Sequence, residues 1–320
     1  MSLIDNCGRP LLNLRIAITQ RCNLRCAYCH REGEVKRANV SAERMTVEEI
    51  ARIAKIAISL GITRVKLTGG EPLMRTDVLE VVKGIADVPG VKDLSMTTNG
   101  LLLDAMAKNL HDAGLKRVNI SLASLNAETY SKLTGGKLEN ALKGIDAAIE
   151  AGFYPVKLNM VVLEGVNVED IASMIEFAKS KRVVLQLIEL DPINVSNAYY
   201  SAHHRFLDEQ ETMLKEKAVS VEVRRFMHNR HIYHLPDVTV EVVHPIENSE
   251  FCMHCTRLRV TSDGKLKPCL MRNDNLVDIL TPMREGASDE KLKQLFTQAN
   301  LQREPYNKDE QNLSEKAQRH

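Results

Sequence analysis

The sequence predicts an α/β protein: a partial (β/α)6 TIM-like barrel followed by a smaller α+β subdomain that closes the barrel mouth. Three observations carry this expectation. Between residues 11 and 190, six β-rich runs alternate with amphipathic helical runs. Such alternation implies crossover connections and therefore a parallel sheet. Near residue 195 the pattern changes. Six βα units fall short of a closed eightfold barrel, and an open partial barrel is preferred to a flat doubly wound sheet.

In chain order, strands are expected at 11–19, 62–68, 91–98, 115–122, 154–163 and 182–190. Helices are expected at 46–61, 77–88, 104–114, 138–152 and 169–181. The first of these places Ile50, Ile53, Ala54, Ala57 and Ile58 on one face. Thr46 and Glu49 stand at capping-box spacing before it, and Gly61 is its stop. Beyond 195 a helix is expected at 204–217. The runs VSVEVRRFMHN, HIYHLPD and VTVEVVHP then read as a small antiparallel meander. A last helix is expected at 288–301, and the polar residues from 303 onward are expected to be mobile. The division drawn is a barrel at 1–195, a C-terminal subdomain at 196–305 and a tail at 306–320.

Composition excludes several classes. The chain of 320 residues is 44% hydrophobic and 27% charged, ordinary for a globular protein and too apolar for wholesale disorder. Lys plus Arg total 43 against 42 Asp plus Glu, so no global field gathers nucleic acid or anionic lipid. Aromatics are only 4%, which argues against a base-stacking platform. No apolar run approaches the roughly 18 to 20 residues of a membrane span. MSLIDNCGRP has an acidic residue and no apolar h-region, so a cytoplasmic location is expected. There, seven cysteines read as ligands, catalytic groups or buried apolar residues rather than disulfides.

Cys22, Cys26 and Cys29 lie in CNLRCAYCH, directly after the first strand. Three thiolates at this spacing can hold three irons of a 4Fe–4S cube and leave the fourth open. An open position points to chemistry rather than structure. A zinc site with His30 as fourth ligand, or coincidence, is the alternative. After the second strand comes Thr68-Gly69-Gly70-Glu71-Pro72. Its glycines would let a ligand approach the backbone, and Glu71 offers an acceptor for an ammonium group. A second set, Cys252, Cys255 and Cys269, has C-x2-C-x13-C spacing, with a hairpin-like SDGK turn folding Cys269 back on the pair. Taken alone this set favours zinc slightly, with His254 or another histidine as fourth ligand. Beside the first set, a second iron–sulfur cluster is the better reading.

The cysteine motif after strand one together with GGEP after strand two resembles the radical S-adenosylmethionine (SAM) superfamily. The resemblance implies that the open iron binds the amino and carboxylate groups of SAM. It also implies that Gly69, Gly70 and Glu71 contact the methionine end, and that Tyr28, Ser121 and Asp191 line the cofactor site. One electron would cleave the sulfonium to methionine and a 5′-deoxyadenosyl radical. More narrowly, CTRLRVTSDGKLKPCL, GRPLLNLRIAITQRCNLRC, TRVKLTGGEPLMR, TTNGLLL and RVNISL resemble the MoaA family, the GTP 3′,8-cyclases of molybdenum cofactor biosynthesis. The likeness runs from about residue 8 to 305 and is weak between 195 and 250. It implies two 4Fe–4S clusters, hydrogen abstraction from C3′ of GTP, attack of that carbon on C8, and reduction to 3′,8-cyclo-7,8-dihydro-GTP. It further implies a homodimer, a low-potential donor such as flavodoxin or ferredoxin, and a downstream cyclic pyranopterin monophosphate synthase (MoaC). A radical SAM enzyme acting on a peptide, and a non-catalytic zinc or electron-transfer protein, are the rival readings.

A triphosphate carries about −4 and its burial needs several well-placed cations. The matched positions are Arg15, Arg64, Lys66, Lys157, Arg257 and Arg259, with Thr97 as a further GTP contact. Residues 64 and 66, and again 257 and 259, share a strand face. Any one of them taken singly reads as a solvated surface charge. The resemblance gives Arg257, Arg259 and Arg15 catalytic roles. Three departures stand out. Gln186 occupies a strand-six position usually held by Arg, SLA with Ala123 replaces the common SLD, and Ala317-Gln318-Arg319-His320 lacks the Gly-Gly pair many members carry. Cys7 is the odd thiol, and His228, His231 and His234 are set aside as a metal cluster because 228 and 231 fall on opposite faces of a strand.

Overall fold

A computed structural model of the chain describes residues 3–35 and 45–307. The first half contains β1 (Asn13–Ala17), α1 (Val47–Ser59), β2 (Arg64–Thr68), α2 (Val78–Ala86), β3 (Asp93–Thr98) and α3 (Leu103–Asp112). It continues through β4 (Arg117–Ser121), α4 (Ala127–Thr134), α5 (Leu138–Glu150), β5 (Lys157–Val162), α6 (Ile171–Lys181) and β6 (Val184–Glu189). Then come α7 (Asn197–His203), α8 (Asp208–Lys217), β7 (Ser220–Arg224), β8 (Arg230–His234), β9 (Thr239–Val243) and α9 (Ser249–Met253). The last elements are β10 (Arg257–Val260), β11 (Lys265–Lys267), β12 (Val277–Asp278), α10 (Leu280–Arg284) and α11 (Asp289–Leu301).

Strands β1 to β6 lie side by side in chain order, all parallel, as the alternation predicts. The expected helices form between them. Thr46 and Glu49 make the capping box of α1, with Glu49 N donating to Thr46 Oγ1 at 3.2 Å and Thr46 N to Glu49 Oε2 at 2.8 Å. Its buried face uses Ile56 where the periodicity pointed to Ile58. Along each strand the side chains alternate. In β1, Leu14 and Ile16 are buried in the apolar core while Arg15 lines a central cavity; in β2, Val65 and Leu67 alternate with Lys66 in the same way.

The C-terminal half does more than the expected meander. β7, β8 and β9 do pair antiparallel. But β9 also joins β6 in parallel, and β10 joins β1 in parallel. Among the described residues the result is one open sheet of twelve strands in the order β12-β11-β10-β1-β2-β3-β4-β5-β6-β9-β8-β7. The physical reason is edge satisfaction. A half-barrel leaves unpaired N–H and C=O rows on its first and last strands, and the C-terminal strands cover both. The SDGK turn forms as expected between β10 and β11, with Gly264 at φ +76°.

Two further expectations differ. The helix predicted at 204–217 starts four residues later, as α8, and the short α7 before it was not expected. Arg303, at the start of the polar stretch, is 1% exposed: it pairs with Asp5 and donates to Asn300 Oδ1 and the Cys255 carbonyl. Residues 304–307 are also described and line the central cavity, while the remainder of the tail from 308 onward, with the chain's final four residues, lies outside the described residues. Among the described residues no helix is long and apolar enough to cross a membrane.

Candidate active site

The first cysteine segment is held by its neighbours on two sides. Ile18 N donates to Thr68 O at 2.9 Å, Gly70 N to Thr19 O at 2.8 Å and Glu71 N to Arg21 O at 2.7 Å. A Cβ on Gly69 would lie 2.2 Å from Thr19 O, and one on Gly70 2.3 Å from Arg21 O. The two glycines are therefore needed because the cysteine segment's own backbone lies against them, a reason different from the close ligand approach inferred from sequence. Helix α4, which the sequence reading missed, grips the other side: Arg25 N donates to Thr134 O at 2.9 Å and Ala27 N to Leu133 O at 3.0 Å.

Glu71 is 1% exposed. Its Oε1 accepts from Thr98 Oγ1 at 2.7 Å and Leu73 N at 3.1 Å, and its Oε2 from Asn99 N at 2.7 Å. Oε2 keeps one lone pair for a ligand. Burial raises this carboxyl to about 7 despite those bonds.

Burial is also the main force on the first three thiols, raising each of them. Cys26 is pushed up to about 12, with Cys29 and Cys22 adding to the effect. Thiols in this condition become ligands only when a cation is bound between them, which is what a cationic metal–sulfide cluster provides. In the second set burial likewise raises Cys252, but Cys255 differs. Burial pushes Cys255 up, but Arg303, Arg257 and Arg259 outweigh it and hold the thiol below its usual value. Arg9 Nη1 donates to Cys252 O at 2.7 Å, and Arg303 to Cys255 O, so two buried arginines fix the turn that carries the pair. Among the described residues no group of three His, Cys, Asp or Glu is placed to hold a single metal ion.

Both thiol sets line one cavity of about 350 Å³. So do Tyr28, Gly69, Gly70, Glu71, Ser121 and Asp191, and likewise Arg15, Arg64, Lys66, Thr97, Lys157, Arg257 and Arg259. The sheet register explains the convergence of the cations. Arg259, Arg15 and Lys66 are direct partners across β10, β1 and β2, and so form one row. Two residues toward the strands' amino ends, Arg257 and Arg64 flank Asn13 in a second row. The GGEP segment and the first cysteines sit at the carboxyl ends, so the cofactor motif lies above the cations.

Carboxylates also line the cavity, and one of them, Glu32, sits among the cations of the row. Glu32 pairs with Arg15 at 3.2 Å and with Arg259 at 3.8 Å. Burial opposes its charge, but Arg15, His30 and the β10 arginines hold it at about 2. Burial first, then the charges of Arg15, Arg117, Arg257 and Lys157, pull Lys66 well below its usual range. Burial and the charges of Arg15, Arg259 and Arg230 act likewise on Arg257. A guanidinium keeps its proton, so this crowding persists as repulsion that a bound anion would relieve. Nε of Arg15, Nε of Arg259 and Oδ1 of Asp191 are enclosed without a hydrogen-bond partner.

Several residues in and around the cavity were not foreseen. Glu34 joins the two cysteine regions: it accepts from Ser262 N at 2.9 Å, Ser262 Oγ at 2.6 Å and Gln20 Nε2 at 2.7 Å. Glu241 of β9 pairs with Lys157 and accepts from Gln186 Nε2 at 2.7 Å. His228, set aside with its neighbours, is buried, faces the cavity and stacks on Phe251 at 4.1 Å. His231 instead meets Glu211 at 3.2 Å and His234 lies beside Thr239, so the three histidines do not converge.

Residues 16–178 match the Radical SAM superfamily and residues 183–309 match Molybdenum Cofactor Synthesis C. The parallel sheet, the cysteine segment after β1 and the glycine pair after β2 are thus those of a radical SAM protein, and the chain belongs to that superfamily. It is 49% identical over 311 residues to the "Probable GTP 3′,8-cyclase" of Thermococcus kodakarensis, covering 95% of this chain and 99% of that one. It is 45% identical over 305 residues to the protein of the same name from Methanocaldococcus jannaschii, covering 94% and 98%. Within the superfamily it is a member of the MoaA family. Among solved structures it resembles Streptococcus suis SuiB bound to precursor peptide SuiA, with TM-score 0.60 and 17% identity, covering 88% of this chain and 66% of that chain. It also resembles native anSMEcpe with bound AdoMet, with TM-score 0.61 and 17% identity, covering 88% and 80%. At these identities the likeness is one of fold.

Proposed function

We propose that the chain is a GTP 3′,8-cyclase that converts GTP to (8S)-3′,8-cyclo-7,8-dihydroguanosine 5′-triphosphate in molybdenum cofactor biosynthesis. The observation that carries this reading is the row Arg259–Arg15–Lys66, a strip of positive charge between two thiol sets inside a nearly neutral protein. A peptide has no need of such a strip; a nucleoside triphosphate does.

Two 4Fe–4S clusters and S-adenosyl-L-methionine are the resident groups. Cys22, Cys26 and Cys29 would hold one cluster and Cys252, Cys255 and Cys269 the other. When bound, these groups supply low-potential electrons and the hydrogen-abstracting radical chemistry. The chain's own residues do the rest. Gly69, Gly70 and Glu71 set the floor for the methionine end, and Tyr28, Ser121 and Asp191 enclose the remainder of the cofactor. Arg15, Arg64, Lys66, Thr97 and Lys157 take the nucleotide. Arg257 and Arg259, two and four residues beyond Cys255, orient the ribose and base relative to the second thiol set. The cavity walls keep water from a reactive carbon centre.

In this reading residues 1–195 carry the cofactor chemistry and 196–305 the base-proximal cluster, with 306–320 as a tail. The working form is a cytoplasmic homodimer fed by a low-potential donor such as flavodoxin or ferredoxin, its product passing to cyclic pyranopterin monophosphate synthase (MoaC). The test of the site is Arg257→Ala and Arg259→Ala in anaerobically reconstituted protein. Both are expected to lose cyclised product while keeping the full iron content; product formation at the native rate would remove these residues from the machinery.

A further inference from the structure

The β5–β6 side of the cavity is short of free positive charge. Lys157, on β5, is already paired with Glu241. Gln186, on β6, carries no charge and donates to the same carboxylate. A triphosphate lying along Arg259, Arg15 and Lys66 would therefore meet a neutralised wall on this side.

The hairpin of β7 and β8 changes that. Arg224 ends β7 and Arg230 begins β8, and the two are direct partners in the antiparallel ladder. Directly opposed residues project to the same side of a ribbon, and like charges so placed repel. Both arginines line the cavity. Arg224 reaches Glu241 at 3.5 Å. Arg230 feels the charge of the same carboxylate but makes no direct ion pair with it, and its Nε is enclosed without a hydrogen-bond partner.

The turn between them is held in place at some cost. His228 and Asn229 both have positive φ, +65° and +53°, a conformation that non-glycine residues adopt sparingly. The turn is docked on the second cysteine region by three contacts. His228 N donates to His254 O at 3.0 Å, Thr256 Oγ1 donates to Phe226 O at 2.9 Å, and the His228 ring stacks on Phe251. A strained turn fixed to the cluster-bearing segment, presenting two opposed cations to a cavity, is the architecture of an anion clamp.

We propose that Arg224 and Arg230 form a second phosphate clamp of the nucleotide site, supplying from the β7–β8 hairpin the cations that β6 lacks at Gln186. This rests on the reading of the cavity as a GTP site and extends it to residues outside the recognised motifs. The clamp adds charge-assisted donors for phosphate to those of the Arg259–Arg15–Lys66 row.

The test is equilibrium titration of the anaerobically reconstituted protein with GTP and with guanosine, comparing the unaltered chain, Arg224→Ala, Arg230→Ala and Arg230→Lys. Loss of a charge-assisted clamp predicts GTP binding weakened by about ten- to a hundredfold in each alanine variant. Guanosine affinity and iron content should be unchanged, and Arg230→Lys should recover part of the loss. GTP affinity unaltered in both alanine variants overturns the clamp, as does an equal loss for guanosine and GTP, which would mark a purely structural role. Failure of the unaltered protein to bind GTP overturns the site reading itself, a result distinguishable from failure of the clamp alone.

Discussion

At Gly70 there is no room for a side chain. An added methyl would press on the Arg21 carbonyl, which the Glu71 amide also uses as its acceptor. Gly70→Ala is therefore expected to displace the cysteine segment and to lose the iron of the first cluster, about half the total. Iron analysis after anaerobic reconstitution checks this; full iron content would show that the segment tolerates the shift. The cysteines, the glycine pair and the cations were legible in the sequence because their chemistry demands particular residue types at particular spacings. The reason for the glycines was not, since the backbone that crowds them lies some fifty residues earlier in the chain. Glu34 and Glu241 were equally hidden. A carboxylate that bonds a serine 228 positions away, or a lysine 84 positions away, leaves no local pattern.

The junction of β6, β9 and α8 carries a pH-dependent element. His244, just past β9, meets Glu189 at 2.7 Å and Glu211 of α8 at 3.0 Å. Burial opposes its charge, but the bonds to Glu189 and Glu211 outweigh burial and raise it to about 9. Its folded-state value thus lies above the unfolded value of about 6.5. The stabilisation is complete below about pH 6.5 and disappears as pH rises through about 9. The melting-temperature difference between the unaltered protein and His244→Gln should be largest near pH 6 and vanish above about pH 9. A difference constant across that window would contradict the assigned charge. Elements of this kind were partly legible. The three meander runs and the SDGK hairpin were read correctly, whereas α4 has only eight residues and a modest apolar face, with just Tyr130, Leu133 and Thr134 buried.

For the whole molecule, the parallel six-strand unit was legible from the alternation of periodicities. The annexation of both its edges by C-terminal strands was not, because parallel pairing between distant segments depends on which edges are left open rather than on local pattern. That annexation places the second thiol set beside β1 and the β7–β8 hairpin beyond β6, so the two ends of the chain's second half face each other across one cavity. It also reconciles a net charge of +1 with a strongly cationic interior. Two complete clusters predict about eight irons per chain. Zinc without iron in anaerobically purified protein would instead support a structural metal protein.

Mass spectrometry of the anaerobic reaction of reconstituted protein with reductant, S-adenosylmethionine and GTP reads the proposed activity itself. A GTP 3′,8-cyclase yields 5′-deoxyadenosine together with a cyclised nucleotide that retains its triphosphate. Formation of 5′-deoxyadenosine irrespective of GTP, with no cyclised nucleotide, would contradict that activity.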